Sequence, residues 1–142
     1  MNFHQKKTRW PRIITFVFGA FIALPVWASC PAVVDANLVT ATPGLTLTMT
    51  VDKSGAKPGD VLLYTLRYCN ASDAGISNLK IDGVTPAFTN FVSASCGETP
   101  SDMTCIIDTQ PTPGDSGAIV WALTGALQPG ASGIVNFKAS VH

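Results

Sequence analysis

A chain of 142 residues has room for one domain. Nine basic and nine acidic residues give a net charge of zero, but four of the basic ones lie within the first 12 positions and every acidic one lies beyond residue 28. The chain after residue 28 therefore keeps five basic and nine acidic residues, a net charge of −4. A mildly acidic surface with scattered charges argues against nucleic acid and anionic lipid as partners, since both need clustered Lys and Arg.

The N-terminal stretch has the order of a secretory signal: basic, apolar, small. Apolar residues fill most of positions 13–28, and Val26 and Ala28 occupy the −3 and −1 positions of a signal-peptidase cut. This run is shorter than the roughly 20 residues that span a bilayer comfortably. We predict a signal peptide over residues 1–28, cleaved after Ala28, with an uncleaved membrane anchor as the alternative. The basic part consists of Lys6, Lys7, Arg9 and Arg12.

All four cysteines lie beyond this leader, at Cys30, Cys69, Cys96 and Cys105. An even number of cysteines in an exported chain predicts two disulfides. Cys96 and Cys105 are close in sequence, so we expect them to pair, which leaves Cys30 for Cys69. The predicted location is extracellular or at the cell surface, reached through the periplasm.

The rest of the chain alternates between apolar and polar residues with a period of two, which is typical of strands. Pro-Gly pairs at 43–44, 58–59, 113–114 and 129–130 supply the φ values of type II turns. About seven short strands with turns between them describe a two-sheet antiparallel sandwich. In chain order the strand candidates are 45–51, 62–68, 78–81, 88–95, 103–107, 119–123 and 135–141.

Residues 29–44 form an N-terminal extension before the sandwich domain, which we assign to residues 45–142. The extension has its own apolar cluster, and its candidate strand residues are Val33, Val34, Leu38 and Val39. Left free in water, this cluster would be unfavourable. We expect the segment either to fold back as an extra edge strand or to add to the open sheet edge of a neighbouring molecule.

Three amphipathic aromatic residues, Tyr64, Tyr68 and Trp121, lie on strand faces that we assign to the core. Each has a polar tip that needs a hydrogen-bond partner when buried. Asn70 and Asp82 are predicted to end strands, where their side chains bond nearby backbone.

The segment 45–141 resembles the DUF11 conserved-repeat domain of prokaryotic surface proteins. The resemblance implies an immunoglobulin-like β-sandwich found in cell-surface, S-layer-like and adhesive proteins, and it implies no enzymatic activity. The chain departs from the family's tandem arrays by its single copy and its four cysteines. The residues that carry the resemblance are Pro58-Gly59-Asp60, 63–68 with Asn70, 74–82, Pro86, 91–95, Trp121 with Leu123, and 127–132.

Catalytic and metal-binding chemistry has little support in the sequence. His4 lies in the leader and His142 is the last residue, so no histidine stands inside the domain to activate a nucleophile. Four carboxylates, Asp60, Asp82, Asp108 and Asp115, are more simply explained as solvated turn residues than as a catalytic pair or a calcium site. Asn70-Ala71-Ser72 has the form of a glycosylation acceptor, which we interpret as a turn. We expect no enzyme, no cofactor and no metal.

The sequence favours a non-enzymatic structural protein of the cell surface or matrix that assembles with copies of itself, in a filament or pilus-like array, by strand addition. Other cell-surface proteins are possible partners, and no membrane span is expected after signal cleavage. The alternative is an extracellular adhesive, glycan-binding or other ligand-binding module, whose sign would be aromatic side chains on the surface.

Overall fold

The computed structural model describes Cys30 and residues 43–142. The signal peptide over 1–28 and the strand candidates Val33, Val34, Leu38 and Val39 lie outside the described residues. Within the described part, no helix is long and apolar enough to cross a membrane.

Seven strands follow one another along the described chain, and each begins within a few residues of its predicted position. They form a four-stranded sheet in the order β1-β2-β7-β4 and a three-stranded sheet in the order β3-β6-β5. Every pairing is antiparallel, which confirms the predicted two-sheet sandwich. The strands are β1 (Leu45–Val51), β2 (Val61–Asn70), β3 (Ile76–Val84), β4 (Thr89–Cys96), β5 (Met103–Thr109), β6 (Ala118–Leu127) and β7 (Ser132–Val141).

The Pro-Gly pairs make the predicted turns. All four of their glycines have positive φ, between 74° and 98°, which a side chain would resist and glycine accepts. Hydrogen bonds close three of these turns: Asp60 N donates to Lys57 O at 3.0 Å, and equivalent bonds close the turns at 112–115 and 128–131. The sequence therefore places the chain reversals correctly because proline and glycine dictate them locally.

The division into four and three strands is that of an immunoglobulin constant-type domain, but the strand order differs. In that domain the fifth strand lies between the second and fourth, and the seventh borders the sixth. Here β7 lies between β2 and β4, while β5 borders β6. The chain crosses between the sheets after β4, and a Cys96–Cys105 disulfide joins β4 to β5 across this crossing.

The core lies between the two sheets around Trp121, which is fully buried. Its ring tilts against Phe137 at 6.3 Å between centroids, and Tyr64 stacks on the same Phe137 at 4.6 Å. The indole Nε1 donates to Ser95 O at 3.2 Å, so the tip of Trp121 has the expected partner. The largest other buried side chains are Tyr68, Phe91, Ile81, Ile119, Leu123, Leu127 and Val135.

Two polar predictions need correction. Among the described residues the buried hydroxyl of Tyr68 has no hydrogen-bond partner, contrary to the expected pairing. Asp82 does not end a strand, because β3 continues to Val84 and keeps Asp82 exposed on its surface. Glycine at position 83 followed by an apolar valine extends the ladder beyond the point where the polar residue suggested a stop.

Candidate assembly edge

The carboxylates singled out in the sequence do not meet in one site. Asp60 accepts a hydrogen bond from Lys57 N at 2.9 Å and pairs with Lys53 at 3.8 Å. Asp108 pairs with Lys80 at 3.5 Å, with both side chains well exposed. Asp82 and Asp115 are exposed elsewhere. Among the described residues, no group of three or more His, Cys, Asp or Glu side chains is arranged to hold a metal ion.

The structure joins Cys30 to Cys69 and Cys96 to Cys105, the two pairs that the sequence predicts. The Cα atoms lie 5.7 Å and 6.0 Å apart, inside the usual range for disulfides. No cysteine in the described part of the chain is free. Two disulfides in so small a domain indicate an oxidising environment.

Of the seven described strands, four lie at sheet edges: β1 and β4 in one sheet, β3 and β5 in the other. Three of these edges are irregular. An extra residue, Val92 in β4 and Asp108 in β5, interrupts each pairing. The register of β3 shifts at Asn78, which has a φ of 56°. Such bulges bend an edge and keep it from pairing with another chain.

The fourth edge has none of these features. All seven residues of β1 pair with β2 in a single register, from Leu45 opposite Asn70 to Val51 opposite Tyr64. Its sequence, LTLTMTV, contains no charged residue and no proline. Among the described strands, β1 is therefore the flat, uncharged edge that strand addition requires.

The hydrogen bonds at the two ends of β1 show which of its backbone groups face outward. Ala71 N donates to Gly44 O at 2.7 Å, and Asp52 N donates to Leu63 O at 3.1 Å. In an antiparallel pair, residues alternate between facing the partner strand and facing away. The even-numbered residues from 44 to 52 thus bond to β2. The outward N–H and C=O groups belong to Leu45, Leu47, Met49 and Val51, which we call the open edge.

The side chains of the open edge point toward the second sheet, but the described residues cover only the first half of β1. Leu45 is buried, whereas Met49 is 53% exposed and Val51 is 43% exposed. The period-two alternation of 45–51 thus places these residues on one face of β1, but that face is only partly buried. The Cys96–Cys105 disulfide holds the β5 edge of the three-stranded sheet against β4. Because this sheet has one strand fewer, it does not extend over the opposite edge strand, β1.

One further surface feature, an exposed aromatic side chain, could not be predicted from the sequence. Phe88 is 77% exposed and has a φ of 63°, a conformation that bulky residues rarely adopt. The turn is held by Thr89 N, which donates to Pro86 O at 3.2 Å, and by His142 N, which donates to Phe88 O at 3.1 Å. The sequence assigned Phe88 to a strand, and only the exposed, left-handed turn reveals it as a surface aromatic.

The chemistry of these surfaces is that of backbone pairing and apolar contact. The open edge offers hydrogen-bond donors and acceptors beside Met49 and Val51, while Phe88 offers an aromatic ring. No family model, no curated protein and no solved structure matches the chain, so the DUF11 resemblance stays a prediction.

Proposed function

We propose that this protein is a non-enzymatic structural protein of the cell surface or extracellular matrix, and that it assembles with copies of itself by strand addition at the open edge. The observation that carries the proposal is the contrast among the four described edges. Three have bulges or register shifts, whereas β1 is regular, uncharged and free of proline. Soluble proteins ordinarily protect such an edge.

The energetics of the open edge support pairing with a further strand. Its four residues present N–H and C=O groups for about eight ladder bonds, each worth about 0.5–1.5 kcal/mol net of water. Burial of Met49 and Val51 adds about 25 cal/mol per Å² of apolar surface. The cost of association is of similar size, about 4–15 kcal/mol. We therefore expect assembly to depend strongly on protein concentration.

The proposal also places the protein outside the cytoplasm, in an oxidising compartment. Two disulfides and the basic, apolar leader over residues 1–28 support export of the chain to an oxidising space. An assembling subunit needs no catalytic group, and the ion pairs of Asp60 and Asp108 are exposed pairs of the kind that contributes little to stability.

A proline at position 49 tests the proposal. The N–H of Met49 faces the open edge, so Met49→Pro removes a donor from the edge and no hydrogen bond from the β1–β2 pairing. We expect the wild-type protein to form oligomers at high concentration in light scattering. We expect Met49→Pro to stay monomeric, with an unchanged circular dichroism spectrum.

Two matched variants serve as controls. Met49→Leu keeps the N–H and an apolar side chain, so it should assemble like the wild type. Thr48→Lys places a charge on the edge strand without removing a backbone donor, and it should also prevent assembly if the proline variant fails to fold. A wild-type protein that remains monomeric at every concentration would refute the proposal.

Phe88 favours a second candidate function, an adhesive or ligand-binding module. An exposed aromatic ring on a strained backbone costs stability, about 1–3 kcal/mol for the left-handed residue alone, and binding is a reason to retain it. Phe88→Gly should raise the free energy of unfolding and abolish binding to glycan or matrix-protein arrays, whereas Phe88→Tyr should retain the binding. If Phe88→Gly binds as well as the wild type, this candidate is wrong.

A further inference from the structure

The open edge has a natural partner in a second copy of itself. Building on the proposed function, we infer that β1 of one molecule pairs antiparallel with β1 of another, about a two-fold axis at Thr48. The two four-stranded sheets then become one continuous eight-stranded sheet.

The register follows from the direction of the backbone groups. Outward groups belong to the odd-numbered residues 45, 47, 49 and 51, and hydrogen-bonded pairs across the new interface must join odd residues to odd residues. Pairing Leu45 with Val51 and Leu47 with Met49 of the second copy uses all four. Shifting by two residues in either direction leaves one of them unpaired in each copy. Full overlap therefore selects the axis at Thr48.

This register also covers the exposed side chains. Met49, 53% exposed in the single molecule, lies beside Leu47 of the second copy, and Val51, 43% exposed, lies beside its Leu45. Apolar cross-strand pairs of this kind stabilise sheets by about 0.2–1 kcal/mol each. On the opposite face only threonines meet, with Thr48 facing Thr48 and Thr46 facing Thr50.

Charge does not oppose the pairing. The first charged residue beyond β1 is Asp52, and the register places it opposite Gly44 of the second copy. Like charges that face each other directly across a sheet would destabilise it. Since none do so here, a strand without any charge can pair with an identical strand.

Residues 31–42 of the same chain are the competing occupant of this edge, because Cys30 is bonded to Cys69, which lies opposite Thr46 at the start of β1 and one strand inside the edge. If they occupied it, Thr48→Cys would give no covalent dimer.

Cysteine cross-linking tests the register. Opposed threonines on the outer face are non-hydrogen-bonded pairs, whose Cα atoms lie about 4.5 Å apart, within disulfide range. In the secreted protein with both native disulfides intact, Thr48→Cys should give covalent dimers under mild oxidation on a non-reducing gel. Thr46→Cys and Thr50→Cys should each stay uncross-linked alone and should form dimers when mixed.

The outcomes separate this inference from the function on which it rests. Oligomers in light scattering without Thr48→Cys dimers would refute β1–β1 pairing and would point to the neighbour's residues 31–42 as the added strand. Equal cross-linking of Thr46→Cys and Thr48→Cys alone would show random collision and would also overturn the register. Monomers under all conditions would refute both. Met49→Pro combined with Thr48→Cys should abolish the dimers.

Discussion

Asn70 uses every hydrogen-bonding position of its side-chain amide. Its Nδ2 donates to Ala74 O at 2.7 Å and to Leu127 O at 2.8 Å. Its Oδ1 accepts from Ser72 N at 2.9 Å and from Ser72 Oγ at 2.6 Å. The fully buried amide thus joins the end of β2 to the end of β6 in the opposite sheet. This confirms the expected backbone bonding of Asn70 and leaves no free amide for a glycan.

We predict that Asn70→Ala lowers the free energy of unfolding by about 2–4 kcal/mol, because it removes four hydrogen bonds and leaves the carbonyl of buried Leu127 without this donor. Urea denaturation followed by tryptophan fluorescence measures the change. Ser77→Ala, at an exposed position on β3, is the control and should change stability by less than about 0.5 kcal/mol. A change in unfolding free energy for Asn70→Ala close to that of the control would show that the Asn70 side chain does not hold the two sheets together.

Tyr68 presents the opposite situation at the residue scale. Burial raises the pKa of Tyr68. The nearby Thr99 side chain lowers this pKa by a smaller amount, but it does not lie in the geometry of a hydrogen bond to the Tyr68 hydroxyl. A tyrosine pKa that is higher in the folded state means that stability is full below about pH 10 and falls as the pH rises through the folded value.

Tyr68→Phe is therefore expected to be as stable as the wild type at neutral pH, or slightly more so, because a buried unpaired hydroxyl is removed. Above about pH 10 the variant should lose less stability than the wild type. Urea titrations at both pH values measure the difference. Tyr64→Phe is the comparison, since burial and the nearby charge of Asp52 also raise the pKa of Tyr64. A large loss at neutral pH would reveal a hydrogen bond to Tyr68.

At the scale of elements, the Cys96–Cys105 disulfide connects two edges that no ladder joins. β4 and β5 belong to different sheets, and the bond spans only nine positions of sequence. A closed loop of this size stabilises the folded state by about 3 kcal/mol in the chain-entropy model.

We predict that the double variant Cys96→Ser/Cys105→Ser loses about 2–3 kcal/mol of unfolding free energy while keeping an all-β circular dichroism spectrum. Denaturation of the purified variant measures this loss. As a control, Cys30–Cys69 is removed from both proteins. With dithiothreitol present, the protein that keeps Cys96 and Cys105 and the protein that lacks them should then be equally stable. A loss below about 1 kcal/mol would mean that the core alone holds β4 against β5.

At the scale of the whole molecule, the sequence predicts that the exported chain is shorter than the translated one. Intact mass spectrometry of the exported protein should show that residues 1–28 are lost and that both disulfides are present. Ala28→Arg should block this cleavage, because signal peptidase requires a small residue at that position, while Ala32→Arg should not. A mass that retains residues 1–27 would refute the predicted cleavage.

The sequence by itself determined the local features of this protein. Alternation placed the seven strands and Pro-Gly pairs placed the turns, because each depends on neighbours along the chain. The short spacing of Cys96 and Cys105 selected their pairing and left Cys30 for Cys69. Tertiary structure decided which of the described strands lie at the edges, and within the described part of the chain it left Met49 and Val51 of β1 exposed. It also buried Asn70, isolated the Tyr68 hydroxyl and exposed Phe88. These properties depend on which sheet covers a residue. Strand order is set by contacts between residues distant in sequence, and apolar–polar alternation along one strand does not specify it.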